Sequence, residues 1–329
     1  MKKMLVTGGT VFVSKSIAEY FSKTYDVYVL NRNTHPQPEN TTLIECDRAD
    51  LGKRLEKFNF DYVVDVSSYS KADISAILSS LGGTISSGGN GSSDKNNSHD
   101  KTSSSGGTTS TVEKYIFISS SAVYPETLKL PFKETDVTGR NKFWGDYGTN
   151  KLEAENYLFS KKADAYVIRP PYLYGPKNNV YREAFVFDCA EAERNFCIPK
   201  NGKMKMQFFY IEDLCRLIQA IIEKSPENHV INCGNSEGVS ILEWAELCYT
   251  AVGKPFRYKN ILSPNIEQRN YFPFYDYEYV LDTTVQDSLL TSTTPLMEGL
   301  KKSYEWYKEN RSEVRRKNYI EFIDTNFNK

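Results

Sequence analysis

Apolar and polar positions follow two alternating patterns through the first half of the chain. Short apolar runs at 4–7, 27–30, 43–46, 62–66, 115–119 and 165–169 read as buried strands. Between them, 14–23, 73–81 and 147–160 carry apolar residues at helical spacing, with Ile17 and Phe21 on one face of the first. Strands separated by helices predict parallel pairing through right-handed crossovers, hence a doubly wound α/β sheet. Ligands of such sheets bind beyond the carboxyl ends of the strands. Thr7, Asn31, Val66, Ser120 and Arg169 all fall there, which predicts one shared crevice. After Gly175 the alternation weakens and aromatic segments dominate. This divides the chain into a sheet domain over 1–176 and a smaller lobe over 177–329 that contacts substrate. The chain is expected to cross back to the first domain around 203–235.

Residues 82–112 break the pattern, with seven glycines and 14 serines or threonines in 31 positions. Such a segment cannot bury enough apolar surface to order itself. It enters a strand at its amino end, away from the crevice, so an inert spacer is the expectation, with a tether for some partner as the alternative.

Charge and cysteine content narrow the function classes. Forty-one basic residues against 42 acidic ones give a net charge of −1, which argues against a dedicated nucleic-acid or membrane-surface protein. The chain opens directly on a strand and holds no apolar run of about 20 residues, so no signal peptide or membrane span is expected. Six scattered cysteines and three histidines show no metal-ligand spacing and fit reduced thiols of a cytoplasmic protein. The expected partner is a small-molecule substrate, with a homodimer left open.

The chemistry concentrates in Ser119-Ser120-Ser121 and in Tyr147-Gly148-Thr149-Asn150-Lys151. On a helix, the four-residue spacing puts the Tyr147 phenol and the Lys151 ammonium on one face, a turn apart. A neighbouring cation favours phenolate, which would let tyrosine exchange protons below its ordinary pKa of about 10. A serine hydroxyl at the adjacent strand end can hold the substrate oxygen. Tyr157/Lys161 and Tyr304/Lys308 share the spacing but lack a preceding strand ending in serines, and read as packing residues.

These residues resemble the extended short-chain dehydrogenase/reductase superfamily, in particular its NAD-dependent epimerase/dehydratase branch. The resemblance is carried by Val6-Thr7-Gly8-Gly9-Thr10, Ser120, Tyr147/Lys151, the segment from Arg169 to Pro176, Gln207 to Asp213 and Asn232 to Asn235. It implies a Rossmann-like sheet and a Ser120–Tyr147–Lys151 catalytic set, with Ser121 as the second candidate for the hydroxyl. It further implies a dinucleotide held by Thr7, Gly8, Gly9, Thr10, Val11, Phe12, Val13, Asn31, Arg32, Asp47, Arg48, Val66, Ser67, Ser68, Lys151 and Pro170. Asn31 and Arg32, where an acidic residue would repel a 2′-phosphate, lean from NAD towards NADP. Val11 and Ser14 stand where the family has glycines, and Val11 is expected to crowd the pyrophosphate. Ser121-Ala122 replaces the Asp-Glu of dehydratases, which favours epimerisation or carbonyl reduction.

At the substrate end, Tyr172 stands where the family has asparagine and Met206 where it has a phosphate-clamping arginine. Ser121, Tyr172 and Arg269 are the expected substrate contacts, with Arg182 or Lys177 as substitutes for the missing charge. Two other classes stay open: an NADP sensor without turnover, and an RNA-binding member such as a chloroplast branch of the superfamily contains.

Overall fold

The computed structural model describes residues 1–82 and 112–327. The interior of the Gly/Ser-rich segment, expected to be a spacer, lies outside the described residues. Seven parallel strands form the central sheet: β1 (Lys3–Thr7), β2 (Asp26–Asn31), β3 (Thr41–Glu45), β4 (Tyr62–Asp65), β5 (Lys114–Ile118), β6 (Tyr166–Arg169) and β11 (Val230–Asn232). Their order is β11-β6-β5-β4-β1-β2-β3, so the direction of winding reverses between β1 and β4. The crevice of a doubly wound sheet opens at that reversal.

Both faces of the sheet are covered, and side chains alternate between them. Met4, Val6, Val64, Ile116 and Ile118 face one core, with helices α1 (Phe12–Phe21) and α5 (Ile211–Lys224) packed over it. Leu5, Val63, Tyr115 and Phe117 face the other, beneath α2 (Lys71–Ser80) and α3 (Asp146–Lys161). The near-continuous apolar strands are the signature of a parallel sheet buried on both sides.

The remaining elements are β7 (Tyr172–Tyr174), α4 (Glu183–Glu191), β8 (Phe196–Pro199), β9 (Lys205–Met206), β10 (Phe208–Tyr210), β12 (Val239–Ser240), α6 (Ile241–Val252), β13 (Tyr258–Ile261), α7 (Thr284–Leu289), α8 (Leu296–Glu309) and α9 (Tyr319–Phe327). Three two-stranded sheets (β7 with β10, β8 with β13, β9 with β12) and helices α4, α6 and α8 build on an aromatic core. In that core Trp244 stacks on Phe208 at 5.7 Å and meets Phe274 edge-on at 5.0 Å. Strand β11 returns to the main sheet and pairs with β6.

Candidate active site

The first loop of the crevice owes its shape to two glycines. Gly8 and Gly9 have φ of 90° and 95°, a region side chains rarely enter, and a Cβ on Gly9 would lie 2.5 Å from Val29. Val11 has extended backbone (φ −132°), which a β-branched residue adopts readily, and it offers no side-chain cap to α1. The first-turn N–H groups of α1 are thereby left open at the crevice, as an anion site needs. Phe12 follows at φ 34°, an uncommon conformation for an aromatic residue. Ser14, in the third glycine position, is buried against Gly8 and donates to the Val11 carbonyl at 3.1 Å.

The ends of β1 and β4 are locked together beneath this loop. The Thr7 hydroxyl donates to Asp65 at 2.7 Å and accepts from the backbone of Val66 and Ser67. Asp65 also accepts from Tyr115 and from the Ser68 backbone. Thr7 was expected among the cofactor-binding residues of this loop. Its side chain is buried, and its hydroxyl is spent on these bonds inside the sheet.

Helix α3 carries the central pair. Gly148 lets α3 approach the turn after β5, since a Cβ there would stand 2.3 Å from the Ala122 carbonyl. That approach sets Tyr147 beside the turn that carries Ser120, and both residues line the same cleft. One turn on, the Lys151 ammonium is buried and donates to the carbonyls of Ser68 at 2.7 Å and Ile118 at 2.8 Å. It therefore bridges the loop after β4 and the end of β5.

The electrostatics differ from the expected pattern. Burial pushes the Tyr147 phenol upward from the ordinary range; the Ser120 hydrogen bond and the positive charge of Arg182 pull the other way. Lys151 was expected to depress Tyr147. Its ammonium is instead committed to two carbonyls, and burial lowers its own pKa to about 8. Arg182, which lines the same cleft, adds a positive charge that draws the phenol down.

A cleft of about 480 Å³ opens over these groups. Val11, Phe12, Val13, Val66, Ser67 and Pro170 line it together with Ser120, Ser121, Tyr147, Lys151 and Tyr172. The other expected cofactor residues flank it. Asn31 donates to the Gly8 carbonyl at 2.7 Å and to Gln37, and so holds the glycine loop. Arg32 is exposed and pairs with Asp47 at 3.7 Å, while Asp47 also caps the short turn that follows β3. Arg48 grips the Ser67 carbonyl at 2.8 Å and Asp73 at 3.1 Å. Ser68, also expected at the cofactor, is fully buried and does not line the cleft; its hydroxyl has no hydrogen-bond partner.

Two expected crevice residues lie elsewhere. Arg169 turns under the sheet end and forms a buried pair with Glu155 of α3 at 2.6 Å. Its other nitrogen donates to Tyr124, which donates to Asn232 of β11. This chain ties α3 to the sheet and leaves no guanidinium for a ligand. Arg269 stacks on Tyr275 at 4.8 Å and bonds the Phe272 carbonyl at 3.4 Å, outside the residues lining the cleft. Lys177 is taken by Glu19.

Sequence reading missed Tyr69, Trp144 and Tyr279, which join Tyr147 and Tyr172 along the cleft wall. Trp144 is placed by Asn141, whose side chain accepts from the Trp144 backbone, and by an indole bond to Tyr277 at 2.6 Å. With 23 tyrosines in the chain, no local signal marked those that converge.

A parallel sheet with a glycine loop at the winding reversal, and a serine–tyrosine–lysine group across from it, defines a dinucleotide-dependent short-chain dehydrogenase-type fold. Residues 4–234 match the profile of the NAD dependent epimerase/dehydratase family, and the chain belongs to that family of enzymes. It is 24% identical to the chloroplast stem-loop binding protein of 41 kDa b of Arabidopsis thaliana, over 92% of this chain and 78% of that protein. It is 22% identical to human dTDP-D-glucose 4,6-dehydratase, over 94% of this chain and 91% of the relative. Among solved structures, the UDP-glucuronic acid 4-epimerase of Bacillus cereus in complex with NAD superposes with a TM-score of 0.67 at 19% identity, covering 94% of this chain and 98% of that one.

Proposed function

We propose that this chain is a cytoplasmic NAD(P)-dependent epimerase or carbonyl reductase. Its substrate on this reading is a sugar nucleotide or a related carbinol or ketone, handled by Ser120, Tyr147 and Lys151. The observation carrying the proposal is the convergence of Ser120, Tyr147 and Lys151 on one cleft with Val11, Phe12 and Val13 of the glycine loop, Lys151 being held between two strand ends. The loop fits a dinucleotide: two glycines create close approach, and α1 presents uncapped N–H groups. A nicotinamide bound there supplies hydride exchange. Ser120 holds the substrate oxygen. Tyr147 removes that oxygen's proton when the carbinol carbon is oxidised and returns it on reduction. Two of the three Lys151 N–H donors are spent on carbonyls, and the third would serve the cofactor's ribose. All six cysteines are buried and free, which supports a reducing compartment.

Mass spectrometry of the cofactor retained by the purified protein tests this reading, followed by exchange of label between reduced cofactor and a ketose or sugar-nucleotide panel. Retention of NAD or NADP with label exchange is expected. A chain that neither retains nor binds either dinucleotide sinks the proposal.

A second reading has one observation in its favour: the similarity to a stem-loop binding protein over most of the chain. The near-neutral charge speaks against RNA as the main ligand. A gel shift with stem-loop RNA decides it, since true phosphate-driven binding must fall steeply with salt.

A further inference from the structure

The substrate half of the cleft departs from a diphosphate site in a specific way. Met206, in the position of a clamping arginine, is fully buried in the apolar core. Arg169 is consumed by Glu155, Lys177 by Glu19, and Arg269 lies on Tyr275. Arg182 alone among these cations lines the cleft. Its guanidinium lies over the Tyr172 ring at 4.7 Å and reaches Phe274 at 6.0 Å, a flat aromatic seat that fixes its plane. Its hydrogen bonding is nearly unspent: one long contact, 3.5 Å, to the Leu173 carbonyl. No carboxylate among the described residues pairs with it. The adjacent Glu183 is buried, takes a hydrogen bond from Asn178 at 2.8 Å, and has its carboxyl pushed upward by burial.

We propose that Arg182, seated on Tyr172, is the anion-binding residue of the substrate site. The substrate is then a carbinol or ketone carrying a single acidic group, a carboxylate or a phosphate monoester. This rests on the oxidoreductase reading above and narrows its substrate class. A planar guanidinium offers two parallel donors that match one carboxylate or one phosphate edge. A diphosphate would bring further negative charge into a cleft whose second cation, Lys151, is already bound to two carbonyls. The walls beside Arg182 are the rings of Trp144, Tyr172 and Tyr279, which suit the flat face of a sugar or ring acid.

Calorimetric titration of the full chain, with and without NAD, tests the site. The probes are galacturonate, glucose 1-phosphate, UDP and neutral galactose, each on the wild type, Arg182→Met and Arg182→Lys. One or both of the monoacidic sugars should bind, and the better of the two identifies the acid as carboxylate or phosphate. Arg182→Met should weaken that probe by about ten- to a hundredfold, with Arg182→Lys in between, because a charge-assisted bidentate contact is lost. NAD affinity and melting temperature should stay those of the wild type. Tightest binding by UDP with no response to Arg182→Met overturns the proposal. So does equal binding of acidic and neutral sugars, absence of binding by either acid, or loss of NAD affinity in the variant. A wild type that takes no NAD defeats the oxidoreductase reading instead, and the titrations without NAD still decide the anion site.

Discussion

Lys151 gives a measurable pH signature. Its ammonium is buried, and burial lowers its pKa from 10.5 to about 8 although two carbonyls accept its protons. In the unfolded chain the group keeps its ordinary value. Between about pH 8 and pH 10.5 the unfolded state therefore binds more protons than the folded one, and stability must rise with pH across that window. Below pH 8 both states are protonated and the whole penalty is present, about 3 kcal/mol from a gap of 10.5 to about 8. By about pH 9.5 roughly 2 kcal/mol of it should be recovered. Tyrosines titrate in the same range, so the wild type alone is uninformative. Lys151→Met is the reference, because every other group is common to both proteins. Urea unfolding of each, without cofactor, at intervals from about pH 7 to 9.5 gives the difference in unfolding free energy. That difference should move by roughly 2 kcal/mol in favour of the wild type as pH rises. Its absolute sign at neutral pH is set by two opposed terms, the desolvated charge and the two carbonyls left without donors in the variant. Parallel pH curves would refute the reasoning, since they would mean that Lys151 titrates alike folded and unfolded.

Three further outcomes are expected. Tyr147→Phe should lower turnover by about 10²–10⁴ while leaving cofactor affinity within a few-fold, because only the positioned proton donor is removed; near-normal kcat on an identified substrate contradicts the assignment. Glu155→Gln should destabilise the fold by about 3–5 kcal/mol in chemical unfolding, because Arg169 is left buried without its counter-charge, and Glu155→Gln combined with Arg169→Met should restore part of the loss. Val11→Gly should tighten NAD by about tenfold in calorimetry, since new backbone–phosphate hydrogen bonds of about 1.5–3 kcal/mol exceed about 0.5–1 kcal/mol of added loop entropy. Unchanged or weaker binding would mean that the extended backbone at Val11 already brings the loop to its ligand.

The strand and helix pattern was legible because a parallel sheet buried on both faces writes itself as short apolar runs between helical repeats. The runs at 4–7, 27–30, 43–46, 62–66, 115–119 and 165–169 all became strands of one sheet, with ends shifted by a residue or two. Gly8 and Gly9 were legible for a local reason, since their backbone angles exclude side chains. The spacing of Tyr147 and Lys151 placed both on α3, but spacing carried no information about what each would touch. Lys151 ended on the carbonyls of Ser68 and Ile118, which lie 83 and 33 residues away along the chain.

Charges mark the same divide. Arg169, Arg182 and Arg269 are equivalent as letters, and local sequence gives no reason to prefer one. Packing alone sent the first under the sheet to Glu155, the third onto Tyr275, and the second into the cleft over Tyr172. Local backbone preference and hydrophobic period act over a few residues, so the sequence by itself determined the strands and helices of the first half, their parallel arrangement and the glycine loop. The partners of buried charges, the aromatic wall of the cleft and the cation that faces Tyr147 depend on contacts between distant segments. Those were decided only when the tertiary structure brought the segments together, because the desolvation of a charge and its compensation exist only in the assembled interior.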